Sequence, residues 1–471
     1  MPERTVVVGA GLVGLLTAWE LRRSGHDVTV ISPDVGRDAS YAAAGMLAPI
    51  SEVQYGQQEL WPIMTAAREL YPQMLKTLAA ATPEPTGYRD TCTVLLAYDR
   101  SDRDAVAELV SVLAEQGMDV EPMSSAQLRR HEPALAPGTS RGWAVPSDHQ
   151  VDPRQLIRCV TAALNAEDLD AEALDGEWRA PGPRSASESA GSGTGAHAGA
   201  PVKWVYEQVA SVHSSTEGAA RDTGGRGSGV SVITQSGAVH QFDRAVLAPG
   251  LGYSGIEGLP RMAPLSLRPI HGDVLRLRVL PEQLLPGEKH LINSTLRARV
   301  GGRQVYLVPR ADGGLVLGAS SREDGLTGTH TGSVQELLDD AAAVVPGVKE
   351  TELVEITTRA RPGTPDERPY LGRIAPGVVV STGYSRHGIL LAPLAARLAA
   401  GLLPTGAAES LTEHERQLLR SMDPTRHTGP ARHADAARRN SAHSTDSAPP
   451  LGAVSPAGLA ADRPEAAVGH R

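Results

Sequence analysis

The fold of this chain is indicated by the stretch TVVVGAGLVGLLTAWELRRSGHDVTVI, residues 5–31. A β-branched run at residues 5–8 predicts a strand, and residues 12–24 have the apolar spacing of a helix. Residues 27–31 then predict a second buried strand. A strand, a helix and a second strand in this order form a βαβ unit with parallel strands. The sequence therefore predicts an α/β fold with a parallel sheet near its amino-terminal end.

The turn between the first strand and the helix has the pattern GxGxxG, with glycines at Gly9, Gly11 and Gly14. In such a turn the first glycine allows the bend, the second lets a pyrophosphate approach the backbone, and the third lets the helix pack on the strand. The helix amino terminus then faces the anionic phosphates. A glycine-rich turn without a ligand is the alternative, but the flanking strand and helix favour a dinucleotide-binding site.

The residue that contacts the ribose is expected about 20 residues further on, at the end of the second strand. That position is Ser32, and an acidic residue, Asp34, follows two positions later. Either residue could make the ribose contact, and the sequence leaves the choice open. After Arg37 comes the small-residue run SYAAAGMLAP, residues 40–49. This run predicts a surface over which a flat cofactor lies close, with tight helix packing as the alternative.

Composition and charge limit the classes of function. With 471 residues the chain exceeds one ordinary core, so two folded lobes with some unstructured sequence are expected. The formal net charge of -9 at pH 7, without a basic stripe, argues against nucleic acid as a partner. Only Cys92 and Cys159 are present, so neither a disulfide framework nor a zinc site is indicated. Without a secretory signal or an apolar stretch of ~20 residues, a soluble cytoplasmic protein is expected.

Apolar periodicity predicts further elements along the chain. The predicted helices are residues 60–78, 102–116, 154–164, 334–345 and 389–403, with a polar turn at 146–154. The predicted strands are residues 203–213, 230–234, 245–248, 273–280, 304–309, 315–317 and 378–382. Residues 176–201 and 214–229 have little to bury and are expected to be flexible insertions. Residues 405–471 are expected to be a mostly disordered tail, because no apolar period is present after Pro424.

Seven motifs occur in a characteristic order. They are GAGLVG at 9–14, GRDASYAAAGMLAP at 36–49, DHQVDPR at 148–154, RPIHG at 268–272, YLVPRADGGLVLGA at 306–319, RPGTPDERPYLG at 361–372 and GYSRHGILLAPLAARLAAGLL at 383–403. Over about residues 4 to 404 the sequence resembles the glycine oxidases of the D-amino-acid oxidase superfamily. The first motif is generic for dinucleotide folds, whereas AAAGMLAP and RPGTPD are more specific.

The resemblance implies a Rossmann-type FAD-binding domain formed by residues 1–87, 145–264 and 356–404. It implies a second, antiparallel-sheet α+β domain that binds substrate, formed by residues 88–144 and 265–355. The implied reaction is oxidation of glycine, sarcosine or small D-amino acids to the imine, with oxygen reduced to hydrogen peroxide. In thiamine biosynthesis this reaction supplies iminoglycine for the thiazole ring. The resemblance also implies a homo-oligomer, for which the family's frequent tetramer is a precedent.

Four side chains are expected to bind the substrate. The resemblance implies that Arg361 holds the carboxylate, that Tyr306 faces it from the sheet, that Arg386 lies near the pocket mouth and that Met46 is also part of the pocket. Independently, a guanidinium can hold a carboxylate through two hydrogen bonds and so fix the α-carbon. A structural ion pair is the alternative role for Arg361, and Arg359, on the same strand face, is the alternative carboxylate ligand.

The expected cofactor is FAD, bound without a covalent bond because no cysteine follows Cys159. Gly388 begins the last predicted helix, whose positive end would face the flavin N1 and C2 oxygen, where charge collects on reduction. No acid–base residue and no metal is expected, since a neutral amine can release its α-hydrogen as hydride to the flavin. The expected cofactor-binding residues are Gly9, Gly11, Gly14, Ser32, Asp34, Arg37, Ala43, Ala44, Gly45, Met46, Val209, Gly250, Gly388, Ile389 and Leu390.

Several alternatives stay open at this stage. Gln304 and Ser321 stand where the family pattern has histidine and methionine, so the preferred amine is not determined. A sarcosine oxidase, a larger D-amino-acid oxidase, or a dehydrogenase that passes electrons to a quinone would share most of these motifs. A nucleotide-binding module without catalysis would keep the glycine turn but would not need Arg361 or Tyr306.

Overall fold

The computed structural model describes residues 2–54, 56–139, 141–167, 169, 199–215, 229–260, 265–403 and 411–427. Met1–Thr428 form one compact unit. Most of the two expected insertions, at 176–201 and 214–229, lies outside the described residues, as does the chain beyond residue 427. The described ends of the second insertion belong to strands.

The helices and strands of the described part follow in chain order. The helices are α1 (Leu12–Arg23), α2 (Ala39–Ala42), α3 (Trp61–Ala81), α4 (Arg100–Glu115), α5 (Ser125–His131), α6 (Pro153–Asn165), α7 (Thr331–Val344), α8 (Gly388–Gly401) and α9 (Glu413–Ser421). The strands are β1 (Arg4–Val8), β2 (Asp27–Ile31), β3 (Met46–Leu47), β4 (Tyr88–Arg89), β5 (Thr93–Ala97), β6 (Glu121–Ser124), β7 (Arg141–Val145), β8 (His149–Val151), β9 (Lys203–Val205), β10 (Val209–Ser215), β11 (Gly229–Thr234), β12 (Val239–Phe242), β13 (Arg244–Leu247), β14 (Arg268–Arg278), β15 (Thr295–Val300), β16 (Arg303–Pro309), β17 (Leu315–Gly318), β18 (Glu352–Gly363), β19 (Tyr370–Ala375) and β20 (Val378–Thr382).

The first sheet confirms the predicted α/β fold. Its six strands have the order β19-β20-β13-β1-β2-β9, and all neighbours are parallel except β19 and β20. Helices α1, α3, α6 and α8 contribute to one apolar core with this sheet. Helix α8 is buried along almost its whole length, as expected for a helix that is apolar on every side. The glycine turn between β1 and α1 therefore lies at the carboxyl edge of a parallel sheet, where α/β folds bind ligands.

The second sheet has eight strands in the order β18-β14-β17-β16-β15-β5-β7-β6. All neighbours are antiparallel except β15 and β5. Strand β18 pairs with β14 along its length, from Glu352 to Gly363. The expected domain boundary at residue 356 does not match this pairing, because the strand that contains Arg361 belongs to the eight-stranded sheet. The division of the chain into two domains otherwise stays a prediction.

Two local expectations also differ from the structure. The predicted strand at 203–213 is two strands, because the chain leaves β9 in the six-stranded sheet before β10 joins a separate three-stranded sheet with β11 and β12. The predicted polar turn at 146–154 contains β8, which pairs with both β3 and β4. Sequence periodicity does not reveal β8, because a three-residue strand is too short to show an alternation.

The expected disordered tail from residue 405 is wrong for residues 411–427. Helix α9 begins with a capping box, in which Thr412 and Glu415 each bond the other's backbone N–H. Leu411, Leu418 and Met422 are buried in the core that includes α1 and α8. This apolar burial offsets the entropy lost on ordering the segment. No helix among the described residues has the length and apolar character needed to cross a membrane.

Candidate functional site

The glycine turn between β1 and α1 shows which of its three glycines leaves room for a ligand. Gly9 has a φ of +100°, and a Cβ there would lie 2.4 Å from the carbonyl oxygen of Ala248. A Cβ on Gly14 would lie 2.0 Å from the carbonyl oxygen of Gly9. At Gly11 the nearest atom to an added Cβ is the Ser40 Oγ, at 3.6 Å. The packing of the turn requires Gly9 and Gly14, whereas a Cβ on Gly11 would make only an ordinary van der Waals contact with Ser40.

Two helix amino termini fit the anionic and electron-accepting parts of FAD. Helix α1 begins after Gly11 and α8 begins after His387, and neither has a capping side chain or an acidic residue in its first turn. The Leu12 N–H of α1 donates to the Ser40 Oγ at 3.2 Å, whereas the other first-turn N–H groups and the positive helix dipoles favour negative charge. Gly250, which follows β13, has no neighbour within 4 Å of an added Cβ. Both helix termini therefore suit anionic groups, and the placement of the pyrophosphate at α1 and of the flavin ring at α8 stays a prediction.

The ribose candidates lie where the sequence analysis expected them. Ser32 follows β2 directly, is half-buried, and donates its backbone N–H to the carbonyl oxygen of Val205 at 3.1 Å. Asp34 and Arg37 are exposed. The choice between Ser32 and Asp34 for the ribose contact therefore stays open.

The small-residue run packs against β8. Gly45 has a φ of +77°, and a Cβ there would lie 2.0 Å from the carbonyl oxygen of Val151. The carbonyl oxygen of Ala44 accepts a hydrogen bond of 2.6 Å from Arg310. Packing against β8 thus explains why residue 45 is a glycine, without any contact to a ligand. A contact of Ala43, Ala44, Gly45 or Met46 with FAD stays a prediction.

The other cofactor candidates on the six-stranded side contribute mainly apolar side chains. Val209 is buried in the apolar cluster between β1, β13 and the β10–β12 sheet. Ile389 and Leu390 are buried at the start of α8, and the carbonyl oxygen of Ile389 accepts a 2.6 Å hydrogen bond from Tyr71. Contacts of Val209, Ile389 and Leu390 with FAD also stay predictions.

Arg361 lies on β18, and its guanidinium covers a glycine of the neighbouring strand. A Cβ on Gly272 of β14 would lie 2.3 Å from the Arg361 Nη2. The Arg361 Nη1 donates to the carbonyl oxygen of Ser320 at 3.3 Å. Among the residues that the structure describes, Arg361 takes part in no ion pair with a carboxylate, so the structural ion-pair role is not found. Its charge is therefore available to a ligand.

Tyr306 lies on β16, on the same face of the sheet as Arg361, and has a similar arrangement. A Cβ on Gly318 of β17 would lie 2.3 Å from the Tyr306 hydroxyl oxygen. In the register of the sheet Arg361 is opposite Ile270, Val274 is opposite Gly318, and Gly318 is opposite Tyr306. Directly opposed residues share one face of a sheet, and so do residues two apart on one strand, such as Ile270, Gly272 and Val274. Arg361 and Tyr306 therefore lie on one face of the sheet, with Gly272 and Gly318 between them. Burial raises the pKa of Tyr306, and the positive charge of Arg361 acts in the opposite direction.

The alternative carboxylate ligand, Arg359, is engaged elsewhere. Its Nε donates to the carbonyl oxygen of Arg37 at 3.0 Å and its Nη1 to that of Thr358 at 2.8 Å. Arg359 is exposed, whereas Arg361 is half-buried beside Tyr306. The surroundings of the two arginines therefore favour Arg361 as the residue that binds an anion in the pocket.

Met46 connects the small-residue run to this face. It is buried in a cluster with Val274, Val308 and Val316, against which Tyr306 packs. The Arg297 Nη1 lies 3.7 Å from the Met46 sulfur. The structure thus brings Met46 and Tyr306 together, as the sequence analysis expected.

Glu52, Arg297 and His387 form a buried charged group that the sequence analysis did not anticipate. The Glu52 Oε1 accepts a hydrogen bond of 2.8 Å from Arg297, and its Oε2 lies 3.5 Å from the His387 Nδ1. Burial by itself raises the pKa of Glu52, but Arg297 and His387 lower it to about 2. Burial lowers the pKa of His387. In the sequence, the one sign of this group was an acidic residue, Glu52, shortly after the apolar stretch MLAPI.

Arg386 lies next to this group. Its Nη2 donates to Gln57 at 3.2 Å and its Nε to the His387 Nε2 at 3.3 Å. Burial lowers the pKa of Arg386, Glu52 raises it, and Arg297 and Arg361 lower it further. The Arg297 and Arg386 guanidinium groups therefore both act on the buried Glu52 carboxylate, and the Arg361 guanidinium acts on Arg386. The site has an excess of positive charge that suits an anionic substrate and an anionic reduced cofactor.

Replacing Glu52 by glutamine should lower the free energy of unfolding at pH 7 by roughly 2 to 4 kcal/mol, because Arg297 loses its buried partner. The folded-state pKa of Glu52 is lowered, so its contribution is present above the unfolded-state pKa and lost as the pH falls towards 2. Urea unfolding of both proteins at a series of pH values measures this difference.

The matched control is Glu352→Gln, which removes an exposed ion pair to Arg278 and should change stability little. Equal free energies of unfolding for wild type and Glu52→Gln at pH 7 would contradict the assignment of a buried ion pair. A difference in that free energy that grows on acidification would contradict it too.

Comparison with known proteins agrees with this geometry. The bifunctional protein ThiO/ThiG of Nostoc sp. is 30% identical over 421 residues, covering 88% of this chain and 54% of that protein. The chain thus spans about half the length of that relative. The glycine oxidase of Geobacillus kaustophilus is 28% identical over 403 residues, covering 84% of this chain and 92% of that protein.

Solved structures and family models extend the comparison. The crystal structure of glycine oxidase from Geobacillus kaustophilus superposes with a TM-score of 0.68 at 25% identity, covering 91% of this chain and all of that one. The model of the family described as FAD dependent oxidoreductase (DAO) matches residues 4–402. This chain belongs to the DAO family of FAD-dependent oxidoreductases.

Proposed function

We propose that this protein is a glycine oxidase, which binds FAD without a covalent bond and oxidises glycine to iminoglycine. Sarcosine and small D-amino acids are proposed as further substrates. In this reaction the amino acid loses two electrons and two protons, and oxygen takes them up as hydrogen peroxide. Hydrolysis of the imine then gives the 2-oxo acid and ammonia. The observation that supports the proposal most strongly is the position of Arg361 and Tyr306 over Gly272 and Gly318.

Arg361 is the proposed ligand of the substrate carboxylate. Its guanidinium has no carboxylate partner among the described residues and can donate two parallel hydrogen bonds. Such a pair fixes both the position and the orientation of the α-carbon, which lowers the entropic part of the barrier. When bound, FAD supplies the two-electron oxidation. The protein itself needs only to bind, orient and exclude water, so the absence of an assigned acid–base residue is consistent with this chemistry.

The surroundings of Tyr306 support a small substrate. Met46, Val274, Val308 and Val316 form an apolar cluster beside its ring. These side chains offer no partner for a long polar substituent on the α-carbon, which would lose its hydrogen bonds to water on entering. Glycine has no such substituent. The arrangement thus favours glycine over amino acids with polar side chains.

We further propose that the imine enters thiamine biosynthesis. A relative from Rhizobium etli, 26% identical over 393 residues, is named a putative thiamine biosynthesis oxidoreductase ThiO, and the Nostoc relative is named a bifunctional protein ThiO/ThiG. The resemblance to glycine oxidases implies that iminoglycine is a precursor of the thiazole ring of thiamine. Iminoglycine is the product of the proposed reaction.

A peroxide assay with glycine, sarcosine, D-alanine and D-proline tests the proposal. Purified protein containing FAD should produce hydrogen peroxide with glycine and with at least one of the other three amines. Flavin reduction by these amines without peroxide would identify a dehydrogenase with another electron acceptor. A yellow protein that reacts with none of them would refute the proposed activity.

The FAD should be released when the protein is precipitated with acid, because no thiol is available to hold it. Cys159 is buried within the core on α6, and the Cys92 Sγ lies 3.4 Å from the Ser294 Oγ in the eight-stranded sheet region. Centrifugation after precipitation should therefore leave the yellow colour in the supernatant. Colour that remains with the pellet after washing would show a covalent bond.

A further inference from the structure

We infer that residues 411–427, here called the C-terminal clasp, position the turn at residues 383–387 that contains Arg386. The clasp acts through the loop at residues 364–368. It lies beyond residues 4–402, which match the family model. The part of this inference that concerns substrate binding rests on the proposed function, whereas the part that concerns the turn does not.

The C-terminal clasp is anchored on the core by apolar contacts and by one buried ion pair. Leu411, Leu418 and Met422 belong to the core cluster that includes α8. The Arg397 Nε lies 3.1 Å from the Glu415 Oε1, and both side chains are less than 10% exposed, at 9% and 7%. Helix α9 is therefore fixed against the helix that begins at Gly388.

Arg426 joins the C-terminal clasp to the loop. Its Nε and Nη2 each donate to one oxygen of Asp366, both at 2.9 Å. It also donates to the carbonyl oxygens of Pro369 and Arg368, at 3.0 and 2.6 Å. Its guanidinium lies over the ring of Tyr370, 4.2 Å from the centroid. A planar guanidinium that stacks and bonds at two points holds its partner in one orientation.

The loop in turn holds the turn at residues 383–387. Glu367 and Ser385 both have left-handed backbones, with φ of +61° and +47°. The Ser385 hydroxyl donates a hydrogen bond to Glu367, whose other oxygen accepts one of 2.9 Å from Arg268. Non-glycine residues remain in this conformation only when their surroundings determine it. The contact between Glu367 and Ser385 is one part of these surroundings. The hydrogen bonds from Arg426 of the C-terminal clasp to Asp366 are the other.

The turn directly precedes two features of the candidate site. Arg386 and His387 follow Ser385, and α8 begins at Gly388. A shift of the turn therefore moves the Arg386 guanidinium, whereas α8 itself is held by the burial of its residues 389–400 in the core. Arg426 does not touch the substrate region itself, so it is a positioning residue.

The test compares Arg426→Ala with Arg420→Ala in the protein loaded with FAD. Arg420 lies on α9 and, among the residues that the structure describes, makes only an exposed ion pair with Glu413, so its replacement should change nothing measured here. Arg426→Ala should raise the hydrogen-exchange rate of the amides at 383–387 by about tenfold or more, since the loop loses its charged hydrogen bonds. KM for glycine should rise by about tenfold, with kcat within about threefold and flavin content unchanged.

Asp366→Asn provides a second variant, which removes the charge of the loop partner while keeping its shape, and should reproduce both effects in weaker form. If Arg426→Ala does not fold, this variant decides the question. Unchanged exchange at 383–387 in the folded variant would overturn the positioning role. Increased exchange in a protein that oxidises no amine would support the C-terminal clasp and refute the proposed function. A loss confined to kcat, with KM unchanged, would contradict the role in substrate binding.

Discussion

Arg361→Ala should lower kcat/KM for glycine by about 100-fold to 4,000-fold. The substrate carboxylate would lose its only proposed partner in a half-buried pocket, at a cost of ~3 to 5 kcal/mol. Each ~1.4 kcal/mol changes the rate constant tenfold, so a loss of this size is expected in steady-state kinetics. Flavin content should not change, because Arg361 lies on β18, and its guanidinium extends over Gly272 rather than towards the glycine turn.

Two further variants make this prediction specific. Arg361→Lys should restore only part of the activity, since an ammonium keeps the charge but not the two-point hydrogen bonding. Arg359→Ala is the control, because Arg359 is exposed and bonds backbone carbonyl oxygens. An active Arg361→Ala enzyme together with an inactive Arg359→Ala enzyme would transfer the carboxylate-binding role to Arg359.

Gly11→Val should weaken FAD binding on the order of 100-fold, or about 3 kcal/mol. The nearest atom to an added Cβ on Gly11 is the Ser40 Oγ at 3.6 Å, an ordinary van der Waals contact, so the protein itself has room for the Cβ. It would then occupy the space where the pyrophosphate approaches the backbone. Titration of the protein freed of FAD, followed by flavin fluorescence, measures the change.

Gly138→Val is the matched control for this glycine. Gly138 likewise has open space at its Cβ position and lies outside the candidate site, so this variant should bind FAD normally. The melting temperature of the FAD-free protein should be nearly the same for both variants. Normal FAD affinity in Gly11→Val would mean that the cofactor does not approach this turn.

The βαβ unit and the floor of the pocket differ in how far the sequence could predict them. The prediction of the βαβ unit depends on the apolar periodicity of 27 neighbouring residues, 5–31, which is local information. The glycines beneath Arg361 and Tyr306 depend on the pairing of strands β18, β14, β17 and β16. No local pattern specifies that pairing, and for the same reason the expected boundary at residue 356 divided β18.

Glu52 and the C-terminal clasp were missed for related reasons. Glu52 bonds Arg297 across 245 positions of the chain, so neither residue alone indicates the pair. The clasp is a segment of 17 residues, 411–427, and its three buried apolar side chains are diluted by polar neighbours. Burial against the core that includes α1 and α8, rather than local propensity, orders it. The resemblance to glycine oxidases pointed to Arg361, Tyr306 and Arg386, which lie near one another and whose roles in substrate binding stay predictions.

The central claim is that glycine reduces the bound FAD directly. The most direct measurement mixes the purified yellow protein with glycine in the absence of oxygen and records the visible flavin absorbance. The account predicts that the absorbance bleaches, that admission of oxygen restores it with formation of hydrogen peroxide, and that Arg361→Ala bleaches far more slowly at the same glycine concentration. A flavin spectrum that glycine, sarcosine and small D-amino acids all leave unchanged in a folded, FAD-loaded protein would contradict the account.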